Sequence, residues 1–213
     1  AGLGAGGVDE VEQARKVAPA ITERRGFDFG ADFPMLTNAS ILEEQAGVTM
    51  TIAKTLTLED YPFLRDYALG TSQLSYANPG LKGLTLLSLI SSLEMMCEAA
   101  RKLVPRRRVA QVHNLRAQRW VGFERGSLHV ILRAERISWP DSSYTAVRVQ
   151  LRDDTPNSAF TWPIVEAIIL LTATSPAPPS IQPPPLSHPR SVNWSGHDIY
   201  PDRLFHGESL RIV

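Results

Sequence analysis

One stretch limits the possible folds more than any other. It runs from Leu81 to Val104 and reads LKGLTLLSLISSLEMMCEAARKLV. Leu84, Leu86, Leu87, Leu89, Ile90, Leu93, Met95, Met96 and Cys97 spread over most of a helical wheel, and a helix apolar on most sides is buried on most sides. Serines, Lys82, Glu94 and Glu98 interrupt the run too often for a membrane span. Pro79-Gly80 supplies a start and Asn78 a cap. Arg101 and Lys102 suit the negative end of the helix dipole, and Pro105 stops the helix. The expectation is a helix over Leu84 to Leu103, cradled by other elements.

Those elements read as strands. Val48 to Leu58 (VTMTIAKTLTL) alternates apolar with polar or Thr residues, the period of a half-buried strand. After a turn at Glu59 to Pro62, Phe63 to Leu69 reads as a short extended piece. Four more strand patterns follow the helix, over Val109 to Val121, Leu128 to Ile137, Tyr144 to Leu151 and Phe160 to Ala173. One early helix among about six strands means α+β rather than alternating α/β. A helix apolar on most faces calls for a sheet that curves around it, which is the hot-dog arrangement.

The flanks divide the chain into an N-terminal tether over 1–46, a domain over 47–174, a proline-rich connector over 175–190 and a tail over 191–213. Gly2, Gly4 and Gly7 match the spacing of a dinucleotide fingerprint, but no strand precedes them and no βαβ unit surrounds them, so they read as a flexible linker. TSPAPPSIQPPPLSHP, from Thr174 to Pro189, fits an extended, semi-rigid spacer. The tail is too short to fold alone and reads as the start of a second hot dog or a C-terminal extension. Formal net charge is zero, and Arg106-Arg107-Arg108 is the only locally basic run, which argues against a nucleic-acid partner. That triplet reads as a solvated helix exit. A single cysteine, Cys97, permits no internal disulfide and fits a reducing, cytoplasmic setting. No histidine, cysteine or carboxylate recurs at metal-ligand spacing.

Several motifs carry a resemblance. LEDYPFLRDYALG (Leu58 to Gly70) resembles the L-x-D-H-P-x-L-x-D-H-x-x-G entry of dehydratase domains in iterative type I polyketide and polyunsaturated fatty acid synthases. SLEMMCEAARKLVP (Ser92 to Pro105) resembles their central helix, VHNLRAQRWV (Val112 to Val121) the following strand, and RLFHG (Arg203 to Gly207) the opening of their second hot dog. The resemblance implies a double hot dog that removes water from a β-hydroxyacyl chain. The phosphopantetheine arm of an acyl carrier protein delivers that chain, and the domain needs no cofactor of its own. It further implies neighbouring synthase domains and a homodimer. The family's catalytic pair is a His from the first hot dog and an Asp from the second. Imidazole is suited to taking the weakly acidic proton α to a thioester near neutral pH.

The chain departs from that pattern at the base. Tyr67 stands at the catalytic His position and Tyr61 at the preceding His. A phenol with an ordinary pKa near 10 is protonated near neutrality and poor at proton abstraction. The family signature continues through a Gly and a Pro. With the helix as anchor these fall on Gly83 and Ser88, the candidate substrate-binding positions, and in the ungapped register on Thr71 and Tyr76. The partner Asp is expected beyond Val213. His113 and His129 lie in strand patterns, His188 and His197 in or after the connector, and His206 in the RLFHG segment. His113 is the first alternative base. Three readings stay open: a dehydratase-like domain without its base that is structural, dimerising or acyl-holding; an active dehydratase or isomerase with an unusual base; and a single hot-dog, thioesterase-like acyl-binding protein.

Overall fold

The chain folds around an antiparallel sheet and one long helix in the computed structural model. The structure describes residues 32–69, 83–123, 126–154 and 162–174, together with 25–26, 177, 180 and 185. The Gly-rich start, most of the connector and the 191–213 tail lie outside the described residues. The strands are β1 (Arg25–Gly26), β2 (Ser40–Gln45), β3 (Thr49–Thr57), β4 (Ala68–Leu69), β5 (Leu84–Thr85), β6 (Arg108–Ala117), β7 (Ser127–Ile137), β8 (Thr145–Asp153) and β9 (Val165–Thr172). The helix, α1, spans Leu89–Leu103. Seven strands form one sheet in the order β1-β2-β3-β7-β8-β9-β6, while β4 and β5 pair separately. Every strand pair is antiparallel, as expected of α+β.

Alternation sets which side chains meet the helix. In β3, Met50, Ile52, Lys54 and Leu56 are buried while the residues between them are not. β3 and β7 pair without a slip from Thr49↔Glu135 to Thr57↔Ser127, so Leu128, Val130, Leu132 and Ala134 share that buried face. α1 packs on β3, β6, β7, β8 and β9. Its buried side chains are Ser91, Ser92, Met95, Met96, Glu98, Ala99, Ala100 and Leu103.

The helix differs from its expected form in two ways. It starts at Leu89, not near Leu84. Leu84-Thr85 pairs with Ala68-Leu69, the Leu86 N–H donates to the Tyr67 carbonyl at 2.9 Å, and the Leu87 N–H donates to the Val121 carbonyl at 2.9 Å. Those bonds hold 84–87 in extended backbone. Ser88 then caps the helix, its Oγ accepting the Ser91 N–H at 3.0 Å. Burial is also one-sided. Ile90 is 73% exposed, and Leu93 and Cys97 only partly enter the core. The apolar run is a composite, in which 84–87 serves the small sheet and only the later part serves the core. Met96→Ala is therefore expected to lower unfolding free energy by ~2–5 kcal/mol through a cavity, and Leu93→Ala by under ~2 kcal/mol, in urea titrations of both variants.

The expected domain start at 47 falls inside a β-hairpin. β2 pairs with β3, with a register shift between Ile41 and Glu43, and Met35, Leu36, Ala39 and Ile41 belong to the core. The stretch 32–46 is thus part of the folded unit rather than tether. The other expected strands agree with the observed ones to within a few residues, except that β6 ends at Ala117 and β9 begins at Val165. The expected piece over Phe63 to Leu69 is a 3₁₀ turn at Pro62–Asp66 followed by β4.

Candidate functional site

A cleft of ≈ 330 Å³ opens at the N-terminal end of α1, lined by Tyr67, Leu87, Leu89, Ser92, Ala117, Gln118, Arg119, Trp120, Ile164 and Val165. The backbone fixes Tyr67 there. It ends the 3₁₀ turn with its N–H on the Leu64 carbonyl at 3.1 Å, and its own carbonyl receives Leu86 at 2.9 Å. The turn and the helix entry are thereby stitched together. On the opposite wall the Gln118 N–H donates to the Ile164 carbonyl at 2.8 Å, joining the end of β6 to the start of β9. Arg119 pairs with Asp153 at 2.7 Å with both side chains largely buried, which stiffens that wall. Inside, Ser92 is 1% exposed and its Oγ donates to the Ser88 carbonyl at 3.0 Å.

The expected site residues separate in space. Tyr67 lines the cleft. Ser88 lies between the lining residues Leu87 and Leu89, but its Oγ is engaged with Ser91, whose Oγ is 2.8 Å away. Gly83 precedes β5 and is not a lining residue. Thr71 and Tyr76 lie outside the described residues. Sequence reasoning did not single out Ser92, Arg119, Trp120 or Ile164. The available signals were a Ser-Ser pair inside an apolar run and the Arg-Trp pair that ends the post-helix strand pattern.

No described histidine lines the cleft. His113 lies in β6, with Nε2 2.8 Å from Gln111 Oε1 and its ring 5.3 Å from the Trp139 ring. His129 in β7 bonds Thr55 Oγ1 through Nδ1 at 2.9 Å. His188, His197 and His206 lie outside the described residues. Burial pushes the Cys97 thiol up to about 11, with Glu94 and Glu98 adding to the shift, so it is a protonated edge-of-core residue near neutral pH. Among the described residues no group of three or more His, Cys, Asp or Glu could hold a metal ion.

A second set of groups has strongly perturbed protonation and belongs to the core. Glu98 on α1, 1% exposed, accepts the backbone N–H groups of Met35 and Leu36 at 3.0 and 2.9 Å. The Tyr61 hydroxyl lies 3.1 and 3.2 Å from the carbonyls of Pro34 and Met35, both acceptors for its proton. Lys54 donates to the Thr37 carbonyl and lies 5.2 Å from the centre of the Tyr61 ring. Burial is the main cause throughout. It raises Glu98 to about 7 against its two N–H bonds, raises Tyr61 to about 12, and lowers Lys54. Such clusters often mark active sites. Here all three side chains are spent on the backbone of Pro34 to Thr37, and they act as a lock on that turn. Tyr61 is thus a core anchor.

No protein family description and no curated protein sequence matches the chain. Solved structures similar in fold include a dehydratase studied for substrate selection in the borrelidin and fluvirucin polyketide synthases (22% identity, TM-score 0.45, covering 82% of this chain and 53% of that one). The dehydratase domain from the terminal module of the rifamycin polyketide synthase is similar at 16% identity and TM-score 0.42, covering 79% of this chain and 48% of that one. A thioesterase from Pseudomonas aeruginosa is similar at 11% identity and TM-score 0.36, covering 79% of this chain and 94% of that one. The chain therefore spans about half the length of the dehydratase chains it matches. No helix among the described residues is long and apolar enough to cross a membrane.

Proposed function

We propose that this chain is a dehydratase-like hot-dog domain of a polyketide or polyunsaturated fatty acid synthase. It holds β-hydroxyacyl or enoyl chains presented on the phosphopantetheine arm of an acyl carrier protein, and it lacks the base that would dehydrate them. The observation that carries this reading is Tyr67. It occupies the motif position of the catalytic His, and it lines a mostly apolar cleft at the helix N-terminus. The resemblance of LEDYPFLRDYALG and SLEMMCEAARKLVP to the family supplies the activity class. An acyl chain needs apolar walls, which Leu87, Leu89, Trp120 and Ile164 provide, and it needs no base to be held. Neighbouring synthase domains and a second copy of the chain are the partners in this reading.

Titrating the protein with butyryl-pantetheine while following tryptophan emission tests acyl holding. Trp120 is 63% exposed at the cleft, so saturable quenching that Trp120→Phe removes is the expected result. Quenching that is non-saturable, or unchanged in Trp120→Phe, would place the acyl chain elsewhere.

A further inference from the structure

At the far end of α1, ~22 Å away for 15 residues, the described residues enclose a second cleft of ≈ 510 Å³. It lies among the β2–β3 turn, the helix exit and the β7–β8 hairpin. Arg107, Arg136, Ser138, Trp139, Ser142 and Tyr144 line it, and no Asp or Glu does. Neither Arg107 nor Arg136 forms an ion pair with a described residue. The one acid of the turn between β7 and β8, Asp141, is turned to Ser143, accepting its N–H at 2.9 Å and its Oγ–H at 2.6 Å.

A hydrogen-bond chain leaves one further donor on a residue that lines this cleft. Gln111 Oε1 can only accept, so the His113 Nε2 at 2.8 Å carries the proton between them. Gln111 Nε2 can only donate, so the Tyr144 hydroxyl accepts from it at 3.2 Å. The phenolic proton of Tyr144 is left for another acceptor. Two guanidinium groups, a phenol with its proton free to donate and two serine hydroxyls give a cleft rich in donors and with no carboxylate in its lining. Guanidinium forks match the oxygens of a phosphate better than any neutral ligand.

We propose that this cleft binds a phosphate monoester, with Arg107 and Arg136 on its oxygens and Tyr144 donating a third bond. The Arg106-Arg107-Arg108 run, which reads as a solvated exit in the sequence, then has a defined role at Arg107. The proposal does not depend on acyl chemistry at the Tyr67 cleft.

The test is calorimetric titration of the whole chain with phenyl phosphate at constant ionic strength. Saturable one-site binding is expected, with a Kd on the order of 0.1–1 mM, as a few charge-assisted bonds on an open surface give. Arg107→Ala and Arg136→Ala should each raise Kd ~10-fold or more, and Tyr144→Phe a few-fold. Arg152→Ala, an exposed arginine outside the cleft, should leave Kd unchanged. Thermal unfolding of each variant separates lost binding from lost fold. Three results would overturn the proposal: no saturable heat, equal weakening by Arg152→Ala and Arg107→Ala, or benzoate binding as tightly as phenyl phosphate.

Discussion

Glu98→Ala should reduce the unfolding free energy by ~2–6 kcal/mol at pH 5, because each buried N–H left without an acceptor costs ~1–3 kcal/mol and two lose theirs. The N–H groups are those of Met35 and Leu36, whose turn carries core residues. The effect should depend on pH. Burial raises the pKa of Glu98 in the folded chain to about 7 from an ordinary 4.5, so the folded chain holds a proton that the unfolded chain releases. The stability from that proton is fully present below about 4.5 and is lost as pH rises to about 7. Above about 7 the loss is complete, and the difference corresponds to ~3 kcal/mol. The cost of Glu98→Ala should therefore shrink between pH 5 and pH 8. Glu98→Gln keeps one acceptor and cannot titrate, so its stability should stay flat across that window. Urea unfolding at several pH values reads all three proteins. Equal stability of wild type and Glu98→Ala at pH 5 would remove Glu98 from the lock. Tyr61, raised to about 12, contributes its own loss of stability only above about pH 10.

Tyr67→His is expected to raise dehydration by ~10²-fold or more over the wild-type rate, since a positioned general base is worth ~10²–10⁴-fold. The backbone at 67 is held on both sides, by Leu64 and by Leu86, so the substitution should leave the turn in place. The new imidazole would enter a cleft lined by apolar residues beside the N-terminus of α1, where backbone dipoles favour a developing oxyanion. The assay uses a β-hydroxybutyryl carrier-protein thioester and the full native protein, so that the expected partner Asp is supplied. Wild-type turnover that Tyr67→Phe abolishes would make the tyrosine catalytic. Wild-type turnover that Tyr67→Phe leaves intact would put the base elsewhere.

Much of the sheet was legible because one face of it is buried. β3 keeps a period of two for its whole length, and β7 and β8 keep it over 127–135 and 147–152, so their pattern reads directly as strand. β2 escaped because SILEEQ holds a register shift after Ile41 and ends in three exposed polar residues, which erases the alternation. The helix start was misplaced because an apolar run does not show whether its leucines face a helix partner or a strand partner. Only the long-range bonds from Leu86 to Tyr67 and from Leu87 to Val121 decide that. Glu98 read as a break in the apolar run, yet it carries the tie that fixes the 33–37 turn, because its partners lie more than 60 positions away. At the site, the motif position Tyr67 lines the cleft. Gly83 and Ser88 came from a one-dimensional register, and neither is among the residues that line the cleft.

Whether the Tyr67 cleft holds a working base can be measured without the full reaction. Butyryl carrier-protein thioester incubated in deuterated buffer with the native protein, at acyl concentrations that saturate the cleft, reports proton abstraction at the α carbon by mass spectrometry. The account predicts exchange no faster than without protein across pH 6–8, and faster exchange in Tyr67→His. Exchange above background in the wild type would contradict it.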